Sequence, residues 1–275
     1  KDLELENKNI ELFIKFYFPY LKVDKLKFSS KNDFTFKINN KYQFKDLSIK
    51  SDIELKEFSF LNNDKLGIFF PKINENIKLS NHKLNVNYEK KTLTINGSGD
   101  ILLQNNKDQL KYLINKTDKS YNFINTLIIN NNPLVLDFLN FEKDEKEKME
   151  INLRGKGELE KKLEIDLLSA QAGNNQFKIG NLEFDKDFKI TNFSNIHINY
   201  FDRDNFLNKF SITLKDKDYL LIGSSFNINH LIDNLINNDN KKLDIFKKDF
   251  KIKIKIDELF LDKLNLTPSF LSLET

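Results

Sequence analysis

The chain has 275 residues, with 44 Lys and Arg against 41 Asp and Glu, so its net charge is only +3. Acidic and basic residues are mixed along the chain, which argues against nucleic acid as a partner, because phosphate binding needs a concentrated basic patch. The absence of cysteine excludes a disulfide framework and thiolate metal sites. The longest apolar stretches, 12–21 and 134–141, are too short or too interrupted to span a bilayer.

A two-residue hydrophobic alternation runs through most of the chain. It is clearest in Asp33–Ile38, Lys83–Tyr88 and Lys251–Ile256. Successive side chains of a strand point to opposite faces, so each segment has one apolar face and one Lys, Asn or Asp face. The pattern predicts a mainly β fold, with a long antiparallel meander curved into a groove and one or two short amphipathic helices.

In the first half of the chain, short strands are expected to follow one another across polar turns such as 29–32 and 39–41. The predicted strands are 21–28, 33–39, 42–51, 53–60, 67–70, 76–79, 83–88, 92–96 and 100–104. Asn96-Gly97-Ser98-Gly99 is typical of a turn or a bulge. Leu110, Leu113 and Ile114 have helical spacing, so a short amphipathic helix is predicted over 107–116.

Residues 122–141 fit either a buried strand or a short helix, and the charged run 142–148 is the best candidate for an internal boundary. The later predicted strands are 148–155, 158–168, 176–184, 188–200, 208–214, 219–226, 250–256 and 258–266. A second helix is predicted over 229–237, because its apolar residues follow the i, i+3, i+4, i+7, i+8 stripe. Since the chain begins at Lys1 within patterned sequence, we expect residues 1–275 to be a fragment of a larger repeating protein.

The residues that could carry chemistry do not form a catalytic motif. His82, His197 and His230 lack metal-ligand spacing, and His197 is expected on the solvent face opposite Ile196 and Ile198. Gly223-Ser224-Ser225 lacks the second glycine of a nucleophile elbow. Asp202-Arg203-Asp204 is interpreted as a solvated turn. We therefore predict that the protein is not an enzyme and needs no cofactor or metal.

The order of parts from about Asn195 onward resembles a known family. A strand pair over 210–226 leads into Gly223-Ser224-Ser225-Phe226-Asn227 and a short Leu/Ile helix. A Lys-Ile-Lys-Ile-Lys-Ile-Asp-Glu-Leu-Phe-Leu strand and a Leu-Asn-Leu edge follow, and 34–60 has a similar pattern. This arrangement resembles the repeating unit of the AsmA-like envelope proteins, although the Ala and Gly content is lower than is typical of that family.

The resemblance implies a periplasmic protein of a Gram-negative cell envelope, anchored in the inner membrane and active in outer membrane biogenesis. Proteins of that kind carry phospholipid between the two membranes along an apolar β-groove. Phospholipid is then the partner, and membrane contact is made by parts of the parent protein outside this segment. The residues expected to line the groove are Phe34, Phe36, Ile38, Phe44, Ile53, Leu55, Leu84, Val86, Ile252, Ile254 and Ile256.

Two other interpretations stay open on sequence grounds. In a closed β-sandwich or solenoid, acting as a scaffold or interaction module, the same residues would be ordinary sheet core. A hydrolase with an unrecognised site is the third hypothesis. The difference between the first two is whether the apolar face is open or sealed.

Overall fold

A computed structural model describes residues 2–5, 22–62, 65–158, 161–187, 189–215, 218–232, 251–261 and 271–274. Strands dominate these ranges, which confirms the predicted mainly β class. The chain divides into two compact units, 1–132 and 133–275. This division falls shortly before the charged run 142–148, which begins in a short strand and continues as a turn.

Unit 1 is an antiparallel meander in which each strand pairs with the next along the chain. Its elements are β1 (Asp2–Leu5), β2 (Val23–Ile38), β3 (Phe44–Leu61), a 3-10 helix (Lys65–Ile68), β4 (Asn76–Glu89), β5 (Thr92–Leu102), β6 (Asp108–Lys116) and β7 (Ser120–Ile129).

The strands of unit 1 are longer than the alternation predicted. The polar residues 29–32, interpreted above as a turn, lie within β2, where Ser30 pairs with Ile53 and Asn32 with Ser51. Polar residues interrupt the hydrophobic pattern without interrupting the backbone ladder, because backbone pairing does not depend on side-chain type. Continuous strands were therefore predicted as separate pieces.

Matched irregularities keep the apolar residues of β3 and β4 on one face. Leu55 of β3 lies directly opposite His82 of β4. The next residues that lie directly opposite each other are Phe58 and Leu79, so two residues intervene on each strand. Asn81, inside this interval, has a left-handed φ of 53°. A bulge changes which face the following side chains occupy, so Phe58 and Leu79 return to the face of Leu55.

The helix predicted over 107–116 is wrong, because this segment forms β6. Leu110 and Ile114 lie on one face of the strand, while Leu113 points to the other and pairs with Ile124. The helical spacing arose from one apolar residue on the polar face. Pairing with both β5 and β7 satisfies the backbone of β6 along its length.

The glycines of Asn96-Gly97-Ser98-Gly99 lie inside β5 rather than in a turn. Gly99 lies opposite the register shift between Ser80 and Lys83 of β4, which agrees with the predicted alternative of a bulge. A Cβ on Gly97 would approach the Tyr112 hydroxyl to 2.6 Å, and a Cβ on Gly99 would approach the His82 Cα to 2.6 Å. The glycines thus leave room for the rings of Tyr112 and His82, whose centroids lie 6.0 Å apart.

Unit 2 is also mostly antiparallel. Its elements are β8 (Leu134–Leu136), a 3-10 helix (Asp137–Leu139), β9 (Phe141–Lys143), β10 (Met149–Glu158), β11 (Lys162–Ala172), β12 (Asn175–Asp185), β13 (Ile190–Phe201), β14 (Leu207–Lys215), β15 (Asp218–Asn227), β16 (Lys251–Phe260) and β17 (Leu271–Glu274). Residues 122–141 therefore resolve into the end of β7, the β8–β9 hairpin and the 3-10 helix between them.

One strand pair departs from the predicted antiparallel meander. β15 and β16 are parallel, with Leu221 opposite Ile254 and Phe226 opposite Leu259. A parallel pair requires a crossover connection, and a helix begins in this connection at residues 229–232. This start agrees with the predicted helix over 229–237, whose remaining residues lie outside the described ranges.

Candidate functional site: an apolar sheet face

The register of unit 1 gathers its apolar side chains on one side of the sheet, which we call the unit-1 apolar face. Directly paired residues of antiparallel strands place their side chains on the same face, so rows can be followed across β2 to β7. The rows are Leu26, Phe58, Leu79, Ile101; Phe28, Leu55, His82; Ser30, Ile53, Leu84, Gly97, Tyr112, Asn125; Asn32, Ser51, Val86, Ile95, Ile114, Phe123; and Phe34, Ile49, Tyr88, Leu93, Lys116, Tyr121.

Exposure changes along the unit-1 apolar face. Leu79 and Ile101 are 7% exposed, whereas Phe34 at the other end is 61% exposed. Phe36 and Ile38, which follow Phe34 at alternate positions of β2, are 46% and 55% exposed. Most side chains of the middle rows are half-buried. Exposed apolar side chains grouped on one face are typical of a binding surface.

The opposite face of the same sheet is polar and linked by side-chain hydrogen bonds. Asn85 on β4 donates to the Asp52 carboxylate on β3 at 2.6 Å. Thr94 on β5 donates to Asn115 on β6 at 2.8 Å, and Asn115 donates to Asn122 on β7 at 3.1 Å. The two faces therefore differ in chemistry, as the alternation predicted.

A buried carboxylate closes the covered end of the unit-1 apolar face. Asp108 is fully buried and accepts hydrogen bonds from the Asn130 backbone N–H at 2.9 Å and the Asn132 side chain at 2.7 Å. Asn132 also donates to the Asn106 carbonyl at 2.7 Å. These bonds satisfy polar groups that would otherwise be costly to bury. The sequence shows only a short Asn/Asp run here, so this network was not predicted.

Burial perturbs two rings on the unit-1 apolar face. It raises the pKa of Tyr112 to about 12 and lowers the pKa of His82 below its usual value of 6.5. His82 Nδ1 donates to the Ser80 carbonyl at 3.3 Å, while Nε2 is buried without a partner among the described residues. Both rings are uncharged at neutral pH, which keeps this part of the face apolar.

The predicted lining residues fall into two groups. Those of unit 1, except Phe44, lie on the unit-1 apolar face: Phe34, Phe36, Ile38, Ile53, Leu55, Leu84 and Val86. Phe44 begins β3 opposite Ile38, and its side chain lies outside the described ones. The predicted lining contains no residue of β5 to β7. Tyr112 and Ile114 of β6 were missed because 107–116 was predicted to be a helix.

The lining residues predicted in unit 2 lie in a covered core. Ile254 and Ile256 are 4% and 3% exposed, in a cluster with Phe210, Leu221, Phe226, Ile228 and Leu259. Ile252 packs at its margin. Leu231 and Ile232, from the helix that begins after β15, pack against the same cluster. These three isoleucines occupy the positions of ordinary sheet core.

A second covered region of unit 2 is aromatic. Phe141 on β9 lies edge-on to Phe177 and Tyr200, with ring centroids 4.8 and 5.7 Å away. The Tyr200 hydroxyl donates to the Leu139 carbonyl at 2.7 Å, and burial raises the pKa of Tyr200. The β8–β9 hairpin thus packs on the sheet through Phe141, and this packing was not evident from sequence.

The turn Asp202-Arg203-Asp204 is more structured than predicted. Asp202 is 5% exposed and accepts hydrogen bonds from the Phe206 backbone N–H at 2.8 Å and the Asn227 side chain at 2.9 Å. Arg203 pairs with Asp137 and Glu142, each at 3.1 Å. The segment is a turn, but its first carboxylate is a buried structural group rather than a solvated one.

The other residues considered for chemistry occupy ordinary positions. His197 lies on the polar face of β13 as predicted, with Nδ1 2.8 Å from the Ser211 hydroxyl. Gly223-Ser224-Ser225 lies inside β15 and does not form a strand-to-helix elbow. Within the described ranges, no group of three His, Cys, Asp or Glu side chains is arranged to hold a metal ion. The same ranges contain no helix with the length and apolar composition needed to cross a membrane.

No family model, curated protein or solved structure matches the chain. The fold and the two sheet faces define the class of protein: it is mainly β, and the sheet of unit 1 has one apolar and one polar face. The resemblance to the AsmA-like family stays a prediction.

Proposed function

We propose that the unit-1 apolar face binds phospholipid acyl chains and that the chain is a segment of a bridge-like lipid-transfer protein of the AsmA-like type. The observation that carries this proposal is the predominantly apolar face across β2 to β7, which Ser30, Asn32 and Ser51 interrupt on β2 and β3. It ends in the exposed side chains Phe34, Phe36 and Ile38. A surface of this kind recognises a ligand by apolar contact alone, so it needs no catalytic or metal-binding motif.

The free energy available from such contact is large. Burying acyl chain contributes about 0.8 kcal/mol per CH₂, so a fully buried chain of about 16 carbons gains about 12 kcal/mol. Partial burial on an open face gains a fraction of this amount. That fraction suits a conduit, because a lipid held by the full amount would leave the surface too slowly to be transferred.

The cellular setting in this proposal follows from the family resemblance. The protein acts in the periplasm of a Gram-negative bacterium, and its parent is anchored in the inner membrane. Phospholipid moves along the apolar face between the inner and outer membranes.

A second candidate function is a scaffold or interaction module of the cell envelope without lipid transport. The observation that favours it is the covered core of unit 2, where Ile254 and Ile256 are sealed among Phe226, Ile228 and Leu259. A sheet whose apolar face is wholly covered has no surface left for a lipid chain. The two candidates therefore differ in what unit 1 binds.

The decisive experiment introduces a charge on the open part of the face. Phe34→Asp places a carboxylate among the exposed apolar residues of β2, and Thr35→Asp places the same charge on the opposite face one residue later. We expect Phe34→Asp to reduce copurifying phospholipid at least fivefold, measured by native mass spectrometry of protein expressed in a Gram-negative host. Thr35→Asp should retain wild-type lipid content.

Two results would contradict lipid binding at this face. The first is wild-type protein that carries no phospholipid and does not bind an NBD-labelled phospholipid in a fluorescence titration. The second is an equal loss of lipid in both variants. Circular dichroism and urea unfolding of both variants establish that any difference does not come from misfolding.

A further inference from the structure

A shallow depression of about 440 Å³ lies on unit 2, among β12 to β15. It is lined by Gln176, Lys178, His197, Ile198, Asn199, Lys209, Phe210, Ser211, Ile222, Gly223 and Ser224. Its polar side chains belong to the face opposite the covered core, since His197 alternates with the inward-facing Ile198 along β13. Its volume falls within the range of small-molecule sites, about 300–1,000 Å³.

The strand register brings the polar side chains of this depression together. Lys178 on β12 pairs with His197 on β13, and His197 pairs with Ser211 on β14. Directly paired side chains begin about 5 Å apart. Lys209 is two residues from Ser211 on β14, so it lies diagonally across from His197 at about 7–8 Å. The two ammonium groups can therefore reach the space above His197 from different sides.

The charged side chains that line the depression are both positive. None of its lining residues is acidic, although the chain as a whole has nearly balanced charge. Glu258, which pairs with Ser225, lies outside the lining. Within the described ranges, neither Lys178 nor Lys209 makes an ion pair.

Some other lysines of unit 2 have a carboxylate close by. Lys156 and Lys162 both pair with Glu164, and Lys253 pairs with Asp218 at 2.6 Å. A negatively charged group bound between Lys178 and Lys209 would be attracted by both ammonium groups.

Hydroxyl and imidazole groups complete a set of donors at the centre. The contact of 2.8 Å between His197 Nδ1 and the Ser211 hydroxyl orients the ring across the strand pair. Ser224 lies on the neighbouring strand and is exposed. Charged and neutral donors arranged around one space are the usual partners of a phosphate oxygen cluster.

We propose that this depression binds a phosphate-type oxyanion between Lys178 and Lys209, above His197 and Ser211. The ligand is a phosphate monoester or diester, supplied either by a soluble compound or by an anionic phospholipid headgroup at a membrane surface. This proposal does not rest on acyl-chain binding, because the depression belongs to the polar side of a different unit.

The experiment uses the full chain of 275 residues and inorganic phosphate as the probe. The chain contains three histidines, so the His197 imidazole signal can be assigned by its absence from the His197→Gln variant. We expect that signal to shift saturably with phosphate in wild-type protein. The double variant Lys178→Gln/Lys209→Gln should bind at least tenfold more weakly, and Lys111→Gln, an exposed lysine of unit 1, controls for the loss of one positive charge.

Vesicles distinguish the two sources of the ligand. Sedimentation with phosphatidylglycerol vesicles, compared with phosphatidylcholine vesicles, tests a headgroup, and the phosphate titration tests a soluble compound. Binding to phosphatidylglycerol that the double variant loses identifies the headgroup, and a phosphate shift without vesicle binding identifies a soluble oxyanion.

The proposal is overturned if wild-type protein binds neither probe, or if Lys111→Gln weakens binding as much as the double variant. Phe34→Asp serves as an independent reference. It should leave phosphate binding unchanged even if it abolishes lipid copurification, so failure of one proposal can be told from failure of the other.

Discussion

Phe34 in unit 1 and Ile254 in unit 2 come from two of the clearest alternating segments of the chain, yet their surroundings differ. Phe34 is 61% exposed at the end of β2, whereas Ile254 is 4% exposed within a cluster that the start of a helix helps to cover. The same local pattern thus produces an open apolar surface in one place and a sealed core in the other. The comparison shows that alternation defines a face but not what covers it.

The largest expected effect comes from placing a charge in the sealed core. Ile254→Asp buries a carboxylate without a partner, and we expect it to destabilise unit 2 by on the order of 4 kcal/mol or more. Phe34→Asp should cost less than about 1 kcal/mol, because its carboxylate stays in water. Urea unfolding monitored by circular dichroism measures both.

Lys255→Asp is the matched control for Ile254→Asp, since it adds the same group on the exposed face of β16. A stability of Ile254→Asp close to that of Lys255→Asp would show that the unit-2 core is open, and the contrast with Phe34 would disappear.

A smaller loss of stability is expected when a glycine is replaced by alanine. Gly223 in unit 2 and Gly97 in unit 1 are both closely surrounded, but by different kinds of atoms. A Cβ on Gly223 would come within 2.6 Å of the Phe210 Cα, which is backbone, so Gly223→Ala should cost about 1–3 kcal/mol. A Cβ on Gly97 would meet the far end of the Tyr112 ring, which can rotate away. Gly97→Ala should therefore cost less than about 1 kcal/mol.

Gly67→Ala provides the reference, because the nearest atom to its Cβ would be a methyl carbon of Ile73 at 3.9 Å. The urea unfolding midpoints of the three variants rank the three positions by the loss of stability that an added Cβ causes. If Gly97→Ala proves more damaging than Gly223→Ala, the Tyr112 ring is held as rigidly as a backbone, and the unit-1 apolar face is less adaptable than we infer.

The smallest expected effect is a dependence of the stability of unit 1 on pH, which is caused by His82. Burial lowers the pKa of His82 in the folded protein below its usual value of 6.5, despite the opposing Ser80 hydrogen bond and Asp100 charge. The unfolded chain therefore binds a proton first as pH falls, so His82 stabilises the fold above about 6.5 and this contribution is lost below it. The urea midpoint should decrease from pH 7.5 to pH 5.5.

This pH window separates His82 from the carboxylates. Hydrogen bonds to lysine side chains lower the pKa values of Glu164 and Asp218 from 4.5 and 3.8, so their contributions are lost only at more acidic pH. His82→Leu should flatten the dependence between pH 5.5 and 7.5. An unchanged dependence in His82→Leu would contradict the assignment.

Several parts of the fold could be predicted because they follow from local rules. The alternation around Val86 and Ile95 correctly indicated strands with one apolar face, and the Leu/Ile stripe after Asn229 correctly indicated where a helix begins. The helix predicted around Leu113 failed because tertiary pairing with β5 and β7 outweighed a weak helical spacing. The glycines of β5 looked like a turn because their partners, Tyr112 and His82, are distant in sequence.

The sequence by itself determined the mainly β class and the polar or apolar character of each strand face, because side chains alternate with a period of two along any strand. Only the tertiary structure decided that β15 and β16 run parallel, and that Ile254 is covered while Phe34 is exposed. These outcomes depend on contacts between residues far apart in the chain. Burial is set by what packs on a face, and a local pattern carries no information about that partner.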